Sequence, residues 1–233
     1  MKILIIAYYY PPETYAMMAS LRPLSWAKYW SQQGHEIQIL TTAKNRSNKA
    51  LNPFPNVTIT EVPYHPLFTQ QKFSSSTSNS PQSSPSSNFF QTLKKQSRNF
   101  LICLQKTLGA GTLLYASNIW VIPAYQASRK LYDEFPYDIV ISTFSPPATP
   151  IIAHLLKRKF HCFWVADYRD LWSHYSLSTS RWLFNHVEKI VEKQIIQTAD
   201  LLCTVSSPLA NFLKISYQKN VIVIENGYEP ENQ

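Results

Sequence analysis

The sequence predicts an α/β fold in which a doubly wound parallel sheet carries helices on both faces, and three observations predict it. Short apolar segments with strand character recur along the chain, and amphipathic helical patterns stand between them in the order that crossover connections require. The chain opens directly on such a segment, Ile3-Leu4-Ile5-Ile6, which reads as a buried strand. With 233 residues, 45% of them hydrophobic, the polypeptide has enough apolar surface for one sizeable core.

Taken in order, Lys2 to Tyr8 is the first strand, and Ser20 to Gln33 is a helix whose Leu21, Leu24, Ala27 and Lys28 fall on related turns. Gly34 follows that helix, at the place where a left-handed C-cap is usual. Glu36 to Thr41 and Val57 to Val62 are the second and third strands. From Pro63 the composition changes, and Ser74 to Ser87 is almost wholly Ser, Thr, Asn, Gln and Pro, so residues 63–90 read as a low-complexity, disordered loop. Helical patterns cover about Phe89 to Leu108 and Asn118 to Tyr132, which makes 89–132 a basic helical insertion. The alternation then resumes with a strand at Asp138 to Thr143, a helix at Thr149 to Lys159 and a strand at Cys162 to Ala166. A long helix, Arg181 to Thr198, is expected to turn Leu183, Val187, Ile190, Val191 and Ile195 inward, with Glu188, Lys189, Glu192 and Lys193 forming a solvated, salt-bridged face. The strand Leu201 to Val205, a helix from Pro208 to Ile215 and the strand Val221 to Ile224 complete a Rossmann-like series.

Charge and cysteine usage narrow the function classes. Cys103, Cys162 and Cys203 are odd in number and widely spaced, which supports neither a disulfide framework nor a zinc site, and the default compartment is a reducing cytoplasm. The opening apolar run is too short for a signal peptide. Thr107 to Ser128 is uncharged and long enough to span a bilayer, but Asn118, Pro123, Gln126 and two glycines dilute it. The net charge of +8 calls for an anionic partner. No acid lies between Glu61 and Asp133, where Lys72, Lys94, Lys95, Arg98, Lys106, Arg129 and Lys130 alternate with large apolar residues. Two readings stand equal: residues 89–130 touch an anionic membrane surface, or they form a packed insertion with a solvated basic face. Nucleic acid is not expected, since no recognition motif accompanies the charge.

Ligands of doubly wound sheets gather at the carboxyl ends of the strands. Four loops qualify: Tyr8 to Ser20, Ser142 to Thr149, Asp167 to Ser180, and Ser206 to Pro208. The first has no GxGxxG turn. Tyr8, Tyr9, Tyr10, Pro11 and Pro12 stand in its place, and only four glycines occur in the chain, so neither a dinucleotide site nor a P-loop is predicted. That aromatic loop either stacks on a sugar or lipid-linked acceptor or forms a rigid packed lid. In the third loop Asp167 and Asp170 flank Arg169, as general acid/base candidates or as carboxylates that lock the guanidinium, the structural role having the stronger claim from the residues alone. His154 within a helix reads as a packed or capping residue, whereas His174, beside the acidic turn, has more freedom to meet a ligand.

Several segments resemble glycosyltransferase family four. They are the opening Lys2 to Pro12, Arg22-Pro23 with Trp26-Ala27-Lys28-Tyr29, Gly34-His35-Glu36, Ser142 to Pro147, Trp164 to Trp172, Ala199-Asp200 with Thr204-Val205-Ser206, and Val223 to Tyr228. The resemblance implies that residues 1–233 are one GT-B half-domain, the N-terminal acceptor side of a metal-independent, retaining enzyme that moves a sugar from a nucleotide-sugar to a polysaccharide, lipopolysaccharide or glycolipid acceptor. It implies a cleft lined by Tyr10, Pro11, Pro12, Ser145, Asp167, Arg169, Asp170, His174 and Ser206, and an interdomain crossover at Asn226 and Gly227. No cofactor is implied beyond the nucleotide-sugar, bound mainly by a C-terminal donor-binding domain that would act in cis or in trans. The other partner implied is a glycan or lipid-linked acceptor. Two departures accompany the resemblance: Thr14, Tyr15, Ala16 and Met17 stand where many relatives carry a Gly-Gly turn, and the chain ends at Gln233 before the donor half. The expectation is therefore a chain that transfers no sugar alone, located in the cytoplasm or peripherally on the inner face of the cell membrane. A noncatalytic binding or membrane-docking module of the same descent is the alternative.

Overall fold

The computed structural model describes residues 1–11, 17–43, 54–63, 116–174 and 182–227. The low-complexity stretch of 63–90, the helical pattern at 89–108, Pro12 and Cys103 lie outside these residues, apart from Pro63 itself. Among these residues seven strands form one sheet: β1 (Lys2–Ile6), β2 (Glu36–Thr42), β3 (Val57–Val62), β4 (Ile139–Phe144), β5 (Phe163–Tyr168), β6 (Leu201–Thr204) and β7 (Val221–Val223). Every neighbouring pair is parallel, in the order β3-β2-β1-β4-β5-β6-β7, so the expected doubly wound arrangement is the one observed. The order reverses at β1, which pairs with both β2 and β4.

Among the described residues five helices connect these strands: α1 (Met17–Gln32), α2 (Val121–Glu134), α3 (Ala148–Phe160), α4 (Trp182–Ile196) and α5 (Ser207–Tyr217), with a 3-10 turn at Ala116–Trp120 before α2. Gly34 closes α1 at φ 81°, as its sequence position predicts. Glycine is scarce, and α3 and α5 end on His161 and Gln218 in the same left-handed conformation. Among the described residues no helix is long and apolar enough to cross a membrane.

Alternation along the strands divides the core in two. Leu4, Ile6, Val140, Phe144, Trp164, Ala166, Tyr168 and Leu202 face one side, where they meet apolar residues of α2, α3, α4 and α5. Ile3, Ile5, Ala7, Ile37, Ile39 and Ile141 face the other, against Ala27, Leu24, Trp26 and Trp30 of α1. Beside α1 an open apolar cavity of about 260 Å³ runs between Trp26, Trp30, Val165, Leu201, Ile222 and Ile224.

Helix α4 is rotated from the orientation that its apolar spacing predicts. Ile195 is buried and Val191 half-buried, but Val187 and Ile190 are 42% and 46% exposed. Glu188 and Glu192 are instead buried, each 1% exposed, so the solvated acidic face expected there does not exist. The side chain of Leu183 is outside the described set. The reason lies in tertiary partners: hydroxyl and amide donors from β5 and its following loop meet Glu192 and offset its desolvation.

Candidate functional site

The carboxyl edge of the sheet gathers the loops after β1, β4, β5 and β6. Strand β5 extends two residues beyond its expected end because Asp167 pairs in register with Thr143 and Cys203, and Tyr168 with Phe144 and Thr204. Asp167 is therefore a strand residue pointing toward α1, rather than part of an exposed turn. It has no solvent exposure, and its carboxylate receives two hydrogen bonds from Arg22 of α1, Nε to Oδ2 at 3.1 Å and Nη2 to Oδ1 at 3.0 Å. Burial pushes the Asp167 carboxyl above the ordinary carboxylate range, and the Arg22 charge opposes that push. Closed to solvent and bonded to a guanidinium, Asp167 has the surroundings of the structural role that the residues alone put first, not those of an acid or base open to an acceptor hydroxyl. The partner also differs from the expected one, since Arg22 and not Arg169 completes the pair.

Arg22 ties together more than one helix and one strand. Its Nη1 donates to the carbonyl of Ile224 at 2.8 Å, the carbonyl of Glu225 at 3.5 Å and Oδ1 of Asn226 at 3.3 Å. Nη2 also reaches Sγ of Cys203 at 3.4 Å, and the guanidinium lies 4.6 Å from the Trp26 ring centre. Burial together with Asp167 raises the Cys203 thiol to about 12, so it is held as an unreactive thiol. One buried cation thus joins α1, β5, β6 and the segment holding Asn226 and Gly227. In the sequence Arg22 stands out only as part of the Arg22-Pro23 segment that resembles the family, and nothing near it along the chain names Asp167 as its partner.

Arg169 sits at the next position of the edge, half-buried, with Nε donating to the carbonyl of Phe144 at 3.0 Å. Desolvation lowers its pKa from the usual arginine value, opposed by the charges of Asp167 and Asp170. Asp170 is exposed. Beneath Arg169 the rings of Phe144, Tyr168 and Trp172 stack, with Phe144 5.7 Å from Tyr168 and 5.9 Å from Trp172. Ser145 is half-buried between cis peptide bonds to Phe144 and Pro146.

The tyrosine loop is mostly packing. Tyr8 is buried and meets Trp120 edge-on at 5.5 Å, while Tyr10 is 1% exposed in the core beneath α1. Tyr9 and Pro11 are half-buried at the edge, and Pro12 is not among the described residues. Ser206 is the half-buried, extended N-cap of α5, its carbonyl accepting from the Ala210 amide at 2.9 Å. Asn226 and Gly227 are exposed. His154 lies away from this edge and shares its Nδ1 with Thr198 Oγ1 at 2.7 Å, the packed role that its helical position predicts.

His174 closes the β5 loop. It is half-buried, its ring packs edge-on against Phe212 of α5 at 5.1 Å, and its Nδ1 lies 3.2 Å from Ser173 Oγ. Ser173 in turn donates its hydroxyl and its amide to Oε2 of Glu192, the amide at 3.0 Å. Tyr168 donates to Oε1 of the same carboxylate at 2.9 Å. Arg169, Asp170, Ser145, Tyr9 and His174 therefore lie on loops of this edge, and Tyr10 and Asp167 are withdrawn into the core. Among the described residues no three His, Cys, Asp or Glu side chains converge as a metal site would require.

Solved structures share this architecture. Sucrose-phosphate synthase from Thermosynechococcus elongatus superposes with a TM-score of 0.55 at 12% identity, over 98% of this chain and 91% of that one. The apo structure of UGT2 from Phytolacca americana gives a TM-score of 0.54 at 12% identity, over 99% of this chain. This chain covers 53% of that structure, about half its length. Identities this low show the fold alone. Among curated proteins none matches the sequence significantly. The family model for Glycosyltransferase Family 4 matches residues 98–232, more than half of the sequence. A parallel sheet in Rossmann order, loops gathered at its carboxyl edge and that match lead to one conclusion: the chain belongs to glycosyltransferase family 4.

Proposed function

We propose that this chain is the acceptor-binding half of a retaining glycosyltransferase that moves a sugar from a nucleotide-sugar to a polysaccharide, lipopolysaccharide or glycolipid acceptor. The observation that carries the reading is the commitment of the edge arginines. Arg22 spends its donors on Asp167, Asn226 and backbone carbonyls, and Arg169 is half-buried against the Phe144 carbonyl. Departure of a nucleoside diphosphate requires preorganised cations or N–H donors for the developing charge, and these two are already engaged. A donor-binding GT-B domain, in cis or in trans, supplies them and holds most of the nucleotide-sugar. Tyr9, Ser145, Arg169, Asp170 and His174 then form the wall that receives the acceptor, with no metal required.

A transfer assay tests this directly. Purified residues 1–233 should show no turnover of a nucleotide-sugar, and joining a family donor domain should create it. Robust turnover by the chain alone would overturn the reading.

A noncatalytic or membrane-docking role is the second reading, and one observation favours it: α2 exposes Arg129, Lys130 and Ile122, the last at 67%. On this reading the chain sits peripherally on the inner membrane face, and that basic and apolar mixture is what supports it. Sedimentation with anionic vesicles and with neutral ones distinguishes it, since equal recovery in both supernatants removes the membrane from the account.

A further inference from the structure

A buried acid stands behind the loop that carries His174, and the hydrogen-bond directions between them are fixed by chemistry. Glu192 is 1% exposed, and its two oxygens face the Tyr168 hydroxyl, the Ser173 amide and the Ser173 hydroxyl. A carboxylate only accepts, so the Ser173 hydroxyl must spend its one proton on Glu192. Its oxygen then has lone pairs alone to offer to the Nδ1 of His174, 3.2 Å away. Nδ1 must therefore carry the imidazole proton, and Nε2 must keep the lone pair. Such a chain, from acid through hydroxyl to ring, sets the tautomer in the way a second group sets the role of a catalytic histidine.

We propose that Glu192 and Ser173 are positioning residues that hold His174 in the Nδ1–H form, so that its Nε2 accepts a hydrogen bond from the hydroxyl that is to be glycosylated and orients it. The inference rests on the acceptor-half reading for the identity of the hydroxyl, but the tautomer itself does not. Three further features serve the same end. The Phe212 ring packs edge-on against the imidazole and restricts its rotation. Desolvation lowers the His174 pKa, opposed by Glu192 and assisted by Lys189, which keeps the ring neutral at neutral pH and Nε2 able to accept. Helix α4, turned so that Glu192 and not Ile190 faces inward, places the acid where the loop can use it.

Two-bond ¹H–¹⁵N spectra of the chain labelled with ¹⁵N-histidine, in mildly alkaline buffer, test the inference. In the wild type His174 should show a protonated Nδ1 and a bare Nε2. S173A, a small change in which His154 keeps its own spectrum as the control for folding, should return His174 to the mixture rich in Nε2–H that free imidazole adopts. Diethyl pyrocarbonate, which at a histidine needs an accessible ring-nitrogen lone pair, should label His174 in the folded wild type, as peptide mapping would show. A wild-type ring dominated by Nε2–H overturns the proposal, as does an Nδ1–H ring that survives S173A, or a His174 that resists the reagent. Any of these leaves the transferase reading standing, because the transfer assay addresses that separately.

Discussion

Asp167 and Glu192 are both buried acids, and they are satisfied in opposite ways. Asp167 and Tyr168 are consecutive in β5, so their side chains leave opposite faces of the sheet. Asp167 meets a full positive charge, the two-pronged guanidinium of Arg22. Glu192, across the sheet, meets dipoles: the hydroxyls of Tyr168 and Ser173 and one amide. A guanidinium compensates charge and fixes geometry with few moving parts, which suits a brace between α1 and the segment leading to Gly227. Hydroxyls compensate less but transmit direction, since each can donate on one side and accept on the other. The first arrangement serves architecture, and the second is able to set the state of a ring at the site.

The largest expected effect is on the charged side. D167A leaves Arg22 buried without its acid and should cost about 3–5 kcal/mol in urea unfolding. R22M/D167A should recover much of that loss, because the uncompensated charge goes as well. A loss for D167A no larger than that for E192A would break the contrast drawn here. On the dipolar side, E192A strands two hydroxyls and one amide and should cost about 2–3 kcal/mol, with E192Q retaining most of the stability because an amide oxygen still accepts.

Acid should act next. Desolvation lowers the pKa values of His154 and His174, so each ring is harder to protonate folded than unfolded. Their contribution is complete above the unfolded value of about 6.5 and is lost as pH falls through it toward the folded values. Melting temperature should therefore drop as pH falls from roughly pH 7 to pH 5, and H154N/H174N should flatten the curve. A curve that the double variant leaves unchanged would assign the titration to other groups. The smallest effect belongs to exposed Asp170, where D170N should shift stability by no more than about 0.5 kcal/mol. A larger loss would mean that the turn, and not only the strand before it, is a brace.

Element type and order were legible in the sequence because both depend on local patterning. Val57 to Val62 forms as expected to the residue, the end of α1 falls two residues before Gly34, and β1, β2 and β4 differ from expectation by one or two residues at their ends. The candidate loops were legible too, since the carboxyl edge follows from strand order. What misled was reach. The run from Trp164 to Trp172 gives no local sign that β5 continues to Tyr168, because that depends on pairing with Phe144 and Thr204, and this extension is what buries Asp167. The spacing in α4 likewise favours Val187 and Ile190 as inward residues, and only donors from β5 and Ser173 make the glutamates the better choice.

The sequence by itself determined the alternation of strands and helices, the absence of a glycine-rich phosphate loop and the family to which the chain belongs, since each resides in residues close together along the chain. The tertiary structure alone decided which acid meets which base. Arg22 and Asp167 lie 145 positions apart, and Ser173 and Glu192 lie 19 apart. The physical reason is that the burial of an ionised or polar group is settled by partners brought from elsewhere in the fold, and a pattern confined to one segment carries no record of them.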